Sequence, residues 1–293
     1  MHNIVKSKKI CLGSANFDMI YGIGNKKKLP FSDVKKIIHY SSTIGVNTID
    51  TAISYGGSEK ILGKLKTDNF NIITKLPKIP NKCSNIEKWV FNSINRSIKN
   101  LKVKKLYSVL IHNEFDLINS KAEFLHKALY KLKKAKVISN IGVSIYDFKN
   151  IDKIIKNFKI DIVQLPFNLI DRRLINLGYL KKLKKKKIKI FVRSIFLQGL
   201  LLTDNKYREK KFKRWENIWI KFDNWLKKNK VSQLKVCTDF IFKFHEIDRV
   251  IVGVNNLSQL KEINDNLKKK KILNFPNINS KDLKLINPQN WKI

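Results

Sequence analysis

Residues 45–65 are GVNTIDTAISYGGSEKILGKL, and this stretch decides the fold because it contains one complete strand-to-helix unit. A short apolar run at 46–50 predicts a buried strand that ends on the charged residue Asp50. Tyr55 follows in a polar segment, after which the pattern becomes helical. A strand that leads through polar residues into a helix is the repeating element of α/β folds with parallel sheets.

The same alternation of strand and helix continues along the chain. Eight short runs rich in Ile and Val are candidate strands, at 8–14, 46–50, 71–75, 106–111, 138–144, 161–166, 188–193 and 249–254. They are nearly continuous apolar runs, as burial on both faces of a parallel sheet requires. The chain has 293 residues, and α/β barrels run to about 250 residues or more as one domain. The sequence therefore predicts an α/β fold, a single (β/α)8 TIM barrel over residues 1–293.

One stretch does not fit the alternation. Residues 203–230 are highly charged and contain Trp215, Trp219 and Trp225. We interpret this stretch as an inserted helical segment that packs its indoles on the barrel. The functional alternative is a lid or a pocket wall.

The charge of the chain points to nucleic acid or an anionic membrane at first sight. The formal net charge is +38, from 61 basic and 23 acidic residues. Only seven of the basic residues are Arg, however, whereas surfaces that bind phosphate or read bases tend to use Arg forks as well. Abundant Lys is more typical of solvated helix faces. We expect no membrane partner and no nucleic acid, with a basic nucleic-acid-binding protein as the alternative.

Cysteine usage and hydropathy indicate a cytoplasmic protein. Cys11, Cys83 and Cys237 are odd in number and widely spaced, which is typical of reduced thiols. No apolar run is long enough for a signal peptide or a membrane span. The histidines away from the predicted strand ends have no second ligand at metal-binding spacing, so no metal site is predicted.

Four polar residues lie where apolar strands end, namely Asp50, Tyr55, Lys75 and His112. The carboxyl ends of barrel strands are where such folds keep catalytic groups. A Tyr, a Lys, a His and an Asp are the groups needed to hand a proton to a carbonyl oxygen, because a nearby acid stabilises negative charge that builds there. A tyrosine with a pKa of about 10 needs an adjacent cation, which Lys75 provides, and a buried ammonium needs a counter-charge, which Asp50 provides. His112 would donate a hydrogen bond to the same oxygen. Taken singly, each residue also has an ordinary structural explanation.

Residues 45–65 closely resemble the signature of the aldo/keto reductases. In that family a strand ends in Asp-Thr-Ala, a Tyr follows shortly, and Tyr-Gly-x-Ser-Glu leads into a helix that ends in Leu-Gly. The resemblance continues in order with ITKL around Lys75, VLIHN around His112, GVS at 142–144, VQLPFN at 163–168, SIFLQGLL at 194–201 and IVGVNNLSQLKEI at 251–263. Several motifs in one order are far more specific than any single one. The opening LGSANFDMIYGIGN resembles a bacterial branch of the family.

The resemblance implies a reversible, NAD(P)H-dependent reduction of an aldehyde or ketone, with Tyr55 as the general acid and a nucleotide that lies across the barrel mouth. It implies three groups of cofactor contacts: Ser144, Gln164 and Asn168 at the carboxamide, Ser194, Leu197, Gly199 and Leu200 at the pyrophosphate, and Gly253, Val254, Asn256, Gln259 and Glu262 at the adenosine end. Strand-end capping is the alternative role of Gln164 and Asn168. NADP(H) is expected ahead of NAD(H).

The chain departs from the family pattern at a few positions. Ile263 stands where an Asn often contacts adenine, and Asp18 stands where the bacterial branch usually has Gly. Asp18 either shapes the substrate pocket or lies in solvent. Gly253 and Gln259 replace the Lys and Arg of members that insist on NADPH, which leaves Lys261 as a candidate substitute. The substrate itself is not predicted, and a regulatory subunit that binds the nucleotide with little turnover is the alternative function.

Overall fold

Eight parallel strands close into a barrel. The computed structural model describes residues 7–23, 27–65 and 67–291. The strands are β1 (Ile10–Gly13), β2 (Thr48–Asp50), β3 (Asn71–Leu76), β4 (Leu106–Ile111), β5 (Ile138–Ser144), β6 (Ile162–Pro166), β7 (Lys189–Arg193) and β8 (Arg249–Val252). Each strand pairs with the next in chain order and β8 pairs back with β1, all in parallel. The predicted (β/α)8 barrel is confirmed, and all eight predicted strands form.

Helices connect the strands on the outside of the barrel. In the described part of the chain they are α1 (Phe31–Thr43), α2 (Ser58–Lys64), α3 (Ile86–Leu101), α4 (Ala122–Lys134), α5 (Ile151–Asn157), α6 (Arg173–Asn176), α7 (Tyr179–Lys185), α8 (Glu216–Asn229), α9 (Gln233–Phe242), α10 (Leu257–Lys268) and α11 (Leu283–Ile286). In α3 the buried residues Val90, Ile94, Ser97 and Leu101 recur at a spacing of three or four, which places them on one face of the helix. The Asn85 side chain accepts a hydrogen bond from the Lys88 amide and so caps this helix.

The core has an inner and an outer layer because successive strand residues point to opposite faces of the sheet. The inner layer fills the barrel with Cys11, Ile73, Leu110, Ile162 and Phe191. The outer layer packs between the strands and the surrounding helices. At Gly142 on β5 an added Cβ would lie 2.3 Å from Leu110 Cδ2, so only glycine fits. The interior is thus a packed core, and space for a ligand begins above it.

Residues 203–230 form short 3₁₀ turns followed by α8. Trp219 is 2% exposed and its Nε1 donates to the Phe212 carbonyl at 2.9 Å. The Trp215 indole donates to Asp282 at 2.9 Å, and Trp225 packs partly buried against the outer core. The three indoles therefore pack on the body of the protein, and Thr203 is the residue of this segment that lines the large cavity described below.

The described residues contain no helix with the length and apolarity that crossing a bilayer requires. The three cysteines are free thiols.

Candidate active site

Polar side chains replace the apolar inner layer at the carboxyl ends of the strands. Each follows its inner-layer neighbour by two residues, so the pleat turns it to the same face. Ile73 is followed by Lys75, Leu110 by His112, Gly142 by Ser144, Ile162 by Gln164 and Phe191 by Arg193. Asp50 ends β2 and completes the ring. The sheet thereby gathers residues from five strands and one adjoining loop at one end of the barrel.

Lys75 is fully buried and makes three contacts. Its Nζ donates to Asp50 Oδ2 at 2.5 Å, to the Thr51 carbonyl at 2.9 Å and to the Tyr55 hydroxyl at 3.4 Å. Burial by itself disfavours the ammonium, but the charge of Asp50, together with the contacts to Asp50 and Tyr55, raises the pKa of Lys75 above its ordinary value. Lys75 is therefore a positively charged ammonium at neutral pH.

Asp50 is held on both of its oxygens. Oδ2 accepts from Lys75, and Oδ1 accepts from Gln164 Nε2 at 2.7 Å. Both partners are buried, so the carboxylate is shielded from water. This hydrogen bond links the Asp50–Lys75 pair to β6, on which Gln164 was expected to contact a cofactor.

Tyr55 lies half-buried at the edge of this group. The Lys75 ammonium is 4.9 Å from the centroid of its ring, and the His112 ring meets it edge-on with centroids 5.8 Å apart. Desolvation raises the pKa of Tyr55 to about 12, although the charge of Lys75 acts in the opposite direction. The phenol is therefore protonated at neutral pH and able to donate its proton.

His112 is a neutral imidazole. Burial, and after it the positive charges of Lys75 and Arg193, lower the pKa of His112 to about 3. The Ser54 hydroxyl lies 3.2 Å from its Nδ1. With Ser54 as the donor in that contact, the ring would carry its proton on Nε2. His112 can then donate a hydrogen bond without acting as an acid.

Asp18 anchors the loop that carries Tyr55. One oxygen accepts from the Gly57 amide at 2.5 Å and the other from Lys28 Nζ at 2.9 Å. The hydrogen bond from Gly57, followed by that from Lys28, lowers the pKa of Asp18. Gly56 has a φ of +57°, and an added Cβ there would lie 2.8 Å from the Asp18 carboxylate. The sequence analysis considered two roles for Asp18, shaping the substrate pocket or lying in solvent. Its contacts show a different one, because Asp18 binds the backbone that follows Tyr55.

A cavity of about 500 Å³ opens beside Tyr55 and Asp50. Seven of the twelve residues expected to contact a cofactor line it: Gln164, Ser194, Gly199, Gly253, Val254, Gln259 and Glu262. Ile263 also lines it, at the position where the family pattern has Asn. The cavity runs from the ring of polar side chains to the start of α10.

The other five expected contacts lie outside the cavity lining. Leu197 and Leu200 are fully buried in the apolar core, and Asn256 caps α10 by accepting from the Gln259 amide at 2.9 Å. Asn168 is fully buried, accepts from the amides of residues 170 and 171, and donates to the Ser194 carbonyl at 3.0 Å. These are the contacts of a strand-end cap. The hydroxyl of Ser144 is buried and has no hydrogen-bond partner among the described residues.

The segment after β7 is strained where it borders the cavity. Ser194, Leu197 and Gln198 have φ angles of 58°, 48° and 54°, and Gly199 has a φ of 96°. A non-glycine residue in this left-handed region costs about 1–3 kcal/mol and persists only where the surroundings hold it. Such strain is typical of ligand-binding segments.

The comparison with known protein families decides the identity of this fold. A model of the aldo/keto reductase family matches residues 9–284. The chain belongs to the aldo/keto reductase family. This is a family of oxidoreductases.

A curated relative and several solved structures resemble this aldo/keto reductase. The D-arabinose 1-dehydrogenase of Saccharomyces cerevisiae is 32% identical over 147 residues, a match that spans 47% of this chain and only 42% of that protein. The holo form of the aldo-keto reductase AKR11C1 from Bacillus halodurans aligns with a TM-score of 0.72 at 14% identity and covers 90% of this chain and 88% of its own. The glycerol dehydrogenase AKR11B4 from Gluconobacter oxydans aligns with a TM-score of 0.69 at 19% identity, with the same coverage. At these identities the two structures show a shared fold.

Arg193 is the residue of this aldo/keto reductase that the sequence analysis missed. It ends β7 and lines the cavity, and its guanidinium carbon lies 3.8 Å from the centroid of the Tyr146 ring. A signal was present, because Arg193 is one of only seven arginines and stands two residues after Phe191 in an apolar strand. The alternation that places Lys75 two residues after Ile73 also places Arg193 at the barrel mouth.

Proposed function

We propose that this chain is an NAD(P)H-dependent carbonyl reductase that interconverts an aldehyde or ketone and its alcohol, with Tyr55 as the general acid. One observation carries the proposal. The Tyr55 phenol lies at a cavity wall against a buried, charged lysine and beside a neutral histidine. This arrangement serves a reaction in which a substrate oxygen gains negative charge and then a proton.

The direction of the hydrogen bonds supports Tyr55 as the proton donor. An ammonium has no lone pair, so in the contact of 3.4 Å Lys75 donates and the phenol oxygen accepts. The phenolic proton is thereby left for a different acceptor, such as a carbonyl oxygen in the cavity. When that proton leaves, the Lys75 charge stabilises the phenolate. Asp50 keeps Lys75 charged in its buried position throughout.

His112 has a different task from Tyr55. Because its pKa is about 3, it carries no extra proton at neutral pH and cannot compete as the acid. A neutral imidazole that donates from Nε2 stabilises the developing oxyanion by a hydrogen bond. The two residues thus divide the work between proton transfer and hydrogen bonding.

The residues around the cavity fit a nicotinamide nucleotide. Gln164 lines the cavity with its amide nitrogen engaged by Asp50, so its side-chain carbonyl oxygen suits a carboxamide. The buried, unpartnered hydroxyl of Ser144 belongs to the residue that pairs with Gln164 in the sheet. The strained segment 194–199 and the first turn of α10 border the same cavity and suit phosphate. When bound, the nicotinamide would supply the hydride to the carbonyl carbon. The protein would orient the substrate and deliver the proton.

The protein should discriminate only weakly between NADPH and NADH. The side-chain oxygen Oε1 of Gln259 accepts from the Asn255 backbone amide at 2.8 Å, and Lys261 lies over the Tyr40 ring rather than along the cavity. Glu262 lines the cavity as a carboxylate and would oppose a 2′-phosphate. The strongly positive field of the whole chain acts in the other direction and favours NADP(H).

Cofactor titration followed by a carbonyl panel tests the proposal. NADPH and NADH are titrated by fluorescence, and turnover is then measured on aldehydes and ketones, with D-arabinose and glycerol for the oxidative direction. The Tyr55→Phe variant should lose about 10²–10⁴ in kcat while its nucleotide Kd stays nearly constant. Tyr130→Phe, which alters an exposed phenol on α4, is the matched control.

The outcomes separate this proposal from its main alternative. A regulatory subunit would bind the nucleotide and turn over no carbonyl. Near-normal turnover in Tyr55→Phe would remove Tyr55 from the mechanism. Absence of nucleotide binding would overturn the proposal as a whole.

A further inference from the structure

Arg193 is a half-buried cation at the wall of the large cavity. Its polar contacts among the described residues are the Ile145 carbonyl, at 3.1 Å from Nη2, and the Ser194 hydroxyl, at 3.4 Å from Nη1. Neither is a carboxylate, and its Nε is buried with no hydrogen-bond partner in the described part of the chain. The guanidinium carbon lies 3.8 Å from the centroid of the Tyr146 ring, and this cation–π contact restrains the side chain.

Two other shielded arginines of this fold pair with a carboxylate, whereas Arg172 donates to the Leu169 and Pro276 carbonyls. Arg173 donates from Nε and Nη2 to the two oxygens of Asp171, and Arg208 donates from Nη1 and Nη2 to those of Asp223. Both are bidentate pairs with a carboxylate of the chain itself. Arg193 has the same chemistry, but the described residues supply no carboxylate to pair with it.

Arg193 lies at the junction of two cavities, because it lines the large one and contacts a residue that lines another. That residue, Tyr146, lines a second cavity of about 310 Å³ together with Ser54, Lys78 and His112. The positive charge of Arg193 is also among the causes that lower the pKa of His112. Glu114, the acid in the wall of this second cavity, accepts from the amides of residues 146 and 147 and is therefore already engaged. The other polar groups of this wall that are named above, Ser54, Lys78 and His112, are cationic or neutral.

We propose that the substrate is an anionic carbonyl compound, an aldehyde or ketone that carries a carboxylate or a phosphate, and that Arg193 binds its anionic group. This inference rests on the proposed function and names the substrate class of the same site. The carbonyl oxygen faces Tyr55 and His112, while the anion lies on the Arg193 fork. A guanidinium restrained by a cation–π contact binds a carboxylate or phosphate bidentately with a reduced loss of side-chain entropy.

Matched substrate pairs test this assignment. 4-Oxobutanoate is compared with its methyl ester for the carboxylate arm, and glyceraldehyde 3-phosphate with glyceraldehyde for the phosphate arm. The measured quantity is the ratio of kcat/KM for the charged member to that for the neutral member. We expect a ratio of about tenfold or more in at least one arm for the unaltered protein, and a decrease of at least tenfold in Arg193→Met. A ratio is independent of the folded fraction, so partial misfolding of the variant cannot produce this result.

Two further variants and one binding measurement make the test specific. Arg193→Lys keeps the charge without the fork and should give an intermediate ratio. Arg96→Met removes the same charge from the exposed surface of α3 and should keep the ratio of the unaltered protein, which separates local binding from the overall field. The NADPH Kd of Arg193→Met is measured by fluorescence. If the substitution weakens NADPH binding and lowers turnover of both members equally, Arg193 serves the cofactor and the inference is wrong.

The remaining outcomes are also decisive. A ratio near one in both arms for the unaltered protein overturns the anionic substrate while it leaves the carbonyl reductase intact. Turnover of neither member in either arm, with no turnover elsewhere on the carbonyl panel, overturns the proposed function and this inference with it.

Discussion

Replacement of Asp50 by Asn should destabilise the barrel and slow catalysis together. Asn keeps the shape of the side chain and an acceptor for Gln164, but it removes the charge that faces Lys75 at 2.5 Å. The ammonium is fully buried, and the Thr51 carbonyl and the Tyr55 hydroxyl would be its remaining partners. Loss of one partner of a buried ion pair costs about 3–5 kcal/mol. A chain of 293 residues has an unfolding entropy near 0.6 kcal/mol/K, so Tm should fall by roughly 5–8 °C.

The loss should depend on pH in a defined direction. In the unaltered protein the pKa of Lys75 is raised, so the pair contributes its full stability below the unfolded lysine pKa of about 10.4 and loses it as the pH rises through the folded value. In Asp50→Asn burial acts without compensation and lowers the pKa of Lys75. The penalty is then present at neutral pH and disappears as the pH approaches about 10.4, where the lysine becomes neutral in both states. The difference in stability should therefore be larger at pH 7 than at pH 10.

The assay is denaturant and thermal unfolding at both pH values, with kcat measured in parallel. The Lys75→Met and Asp50→Asn/Lys75→Met variants complete the cycle. The double variant should be more stable than Asp50→Asn because it buries no unpaired charge, although both variants that lack Lys75 should be inactive. Melting and kinetics of Asp50→Asn that match the unaltered protein would refute the pairing. A double variant less stable than Asp50→Asn would refute the unpaired charge of Lys75 as the cause of the destabilisation.

The other contacts of the site lead to four further predictions. The pKa of His112 is about 3 against an ordinary value of 6.5, so kcat/KM for reduction should show no acidic limb near pH 6.5, and a limb there would mean that the imidazole is charged in catalysis. The unfolded state binds this proton more tightly, so the contribution of His112 to the free energy of unfolding should be lost as the pH falls from about 6.5 towards 3. Over that range the free energy of unfolding of His112→Gln should depend less steeply on pH than that of the unaltered protein. Asp18→Ala frees the Gly57 amide and should lower kcat by about tenfold with the NADPH Kd unchanged, whereas a loss confined to nucleotide binding would contradict its role as the anchor of Tyr55. The Kd ratio should favour NADPH over NADH by less than about a hundredfold, roughly 2.7 kcal/mol, and should shrink with salt, and a thousandfold preference at moderate salt would reveal a phosphate clamp that the lining lacks.

The sequence by itself determined the barrel and the order of its strands. Burial on both faces of a parallel strand requires a continuous apolar run, and eight such runs separated by helical patterns close in only a few ways. It also predicted that Asp50, Lys75 and His112 would meet, since each follows an apolar run and parallel strands end at one rim. These are local patterns, which a single sequence displays directly.

The tertiary structure alone decided which partners those residues have. Asp50 is bonded to Gln164, 114 residues away in the chain, because closure of the barrel brings β2 and β6 to the same rim. Asp18 binds the Gly57 amide, Asn168 caps the turn after β6, and Arg193 lies over the Tyr146 ring with no carboxylate beside it among the described residues. Such contacts depend on the distance and direction between side chains far apart in sequence, and those are set by the register and closure of the sheet. A pattern along one chain reports which face a residue takes, whereas only the packed barrel determines what that residue meets there.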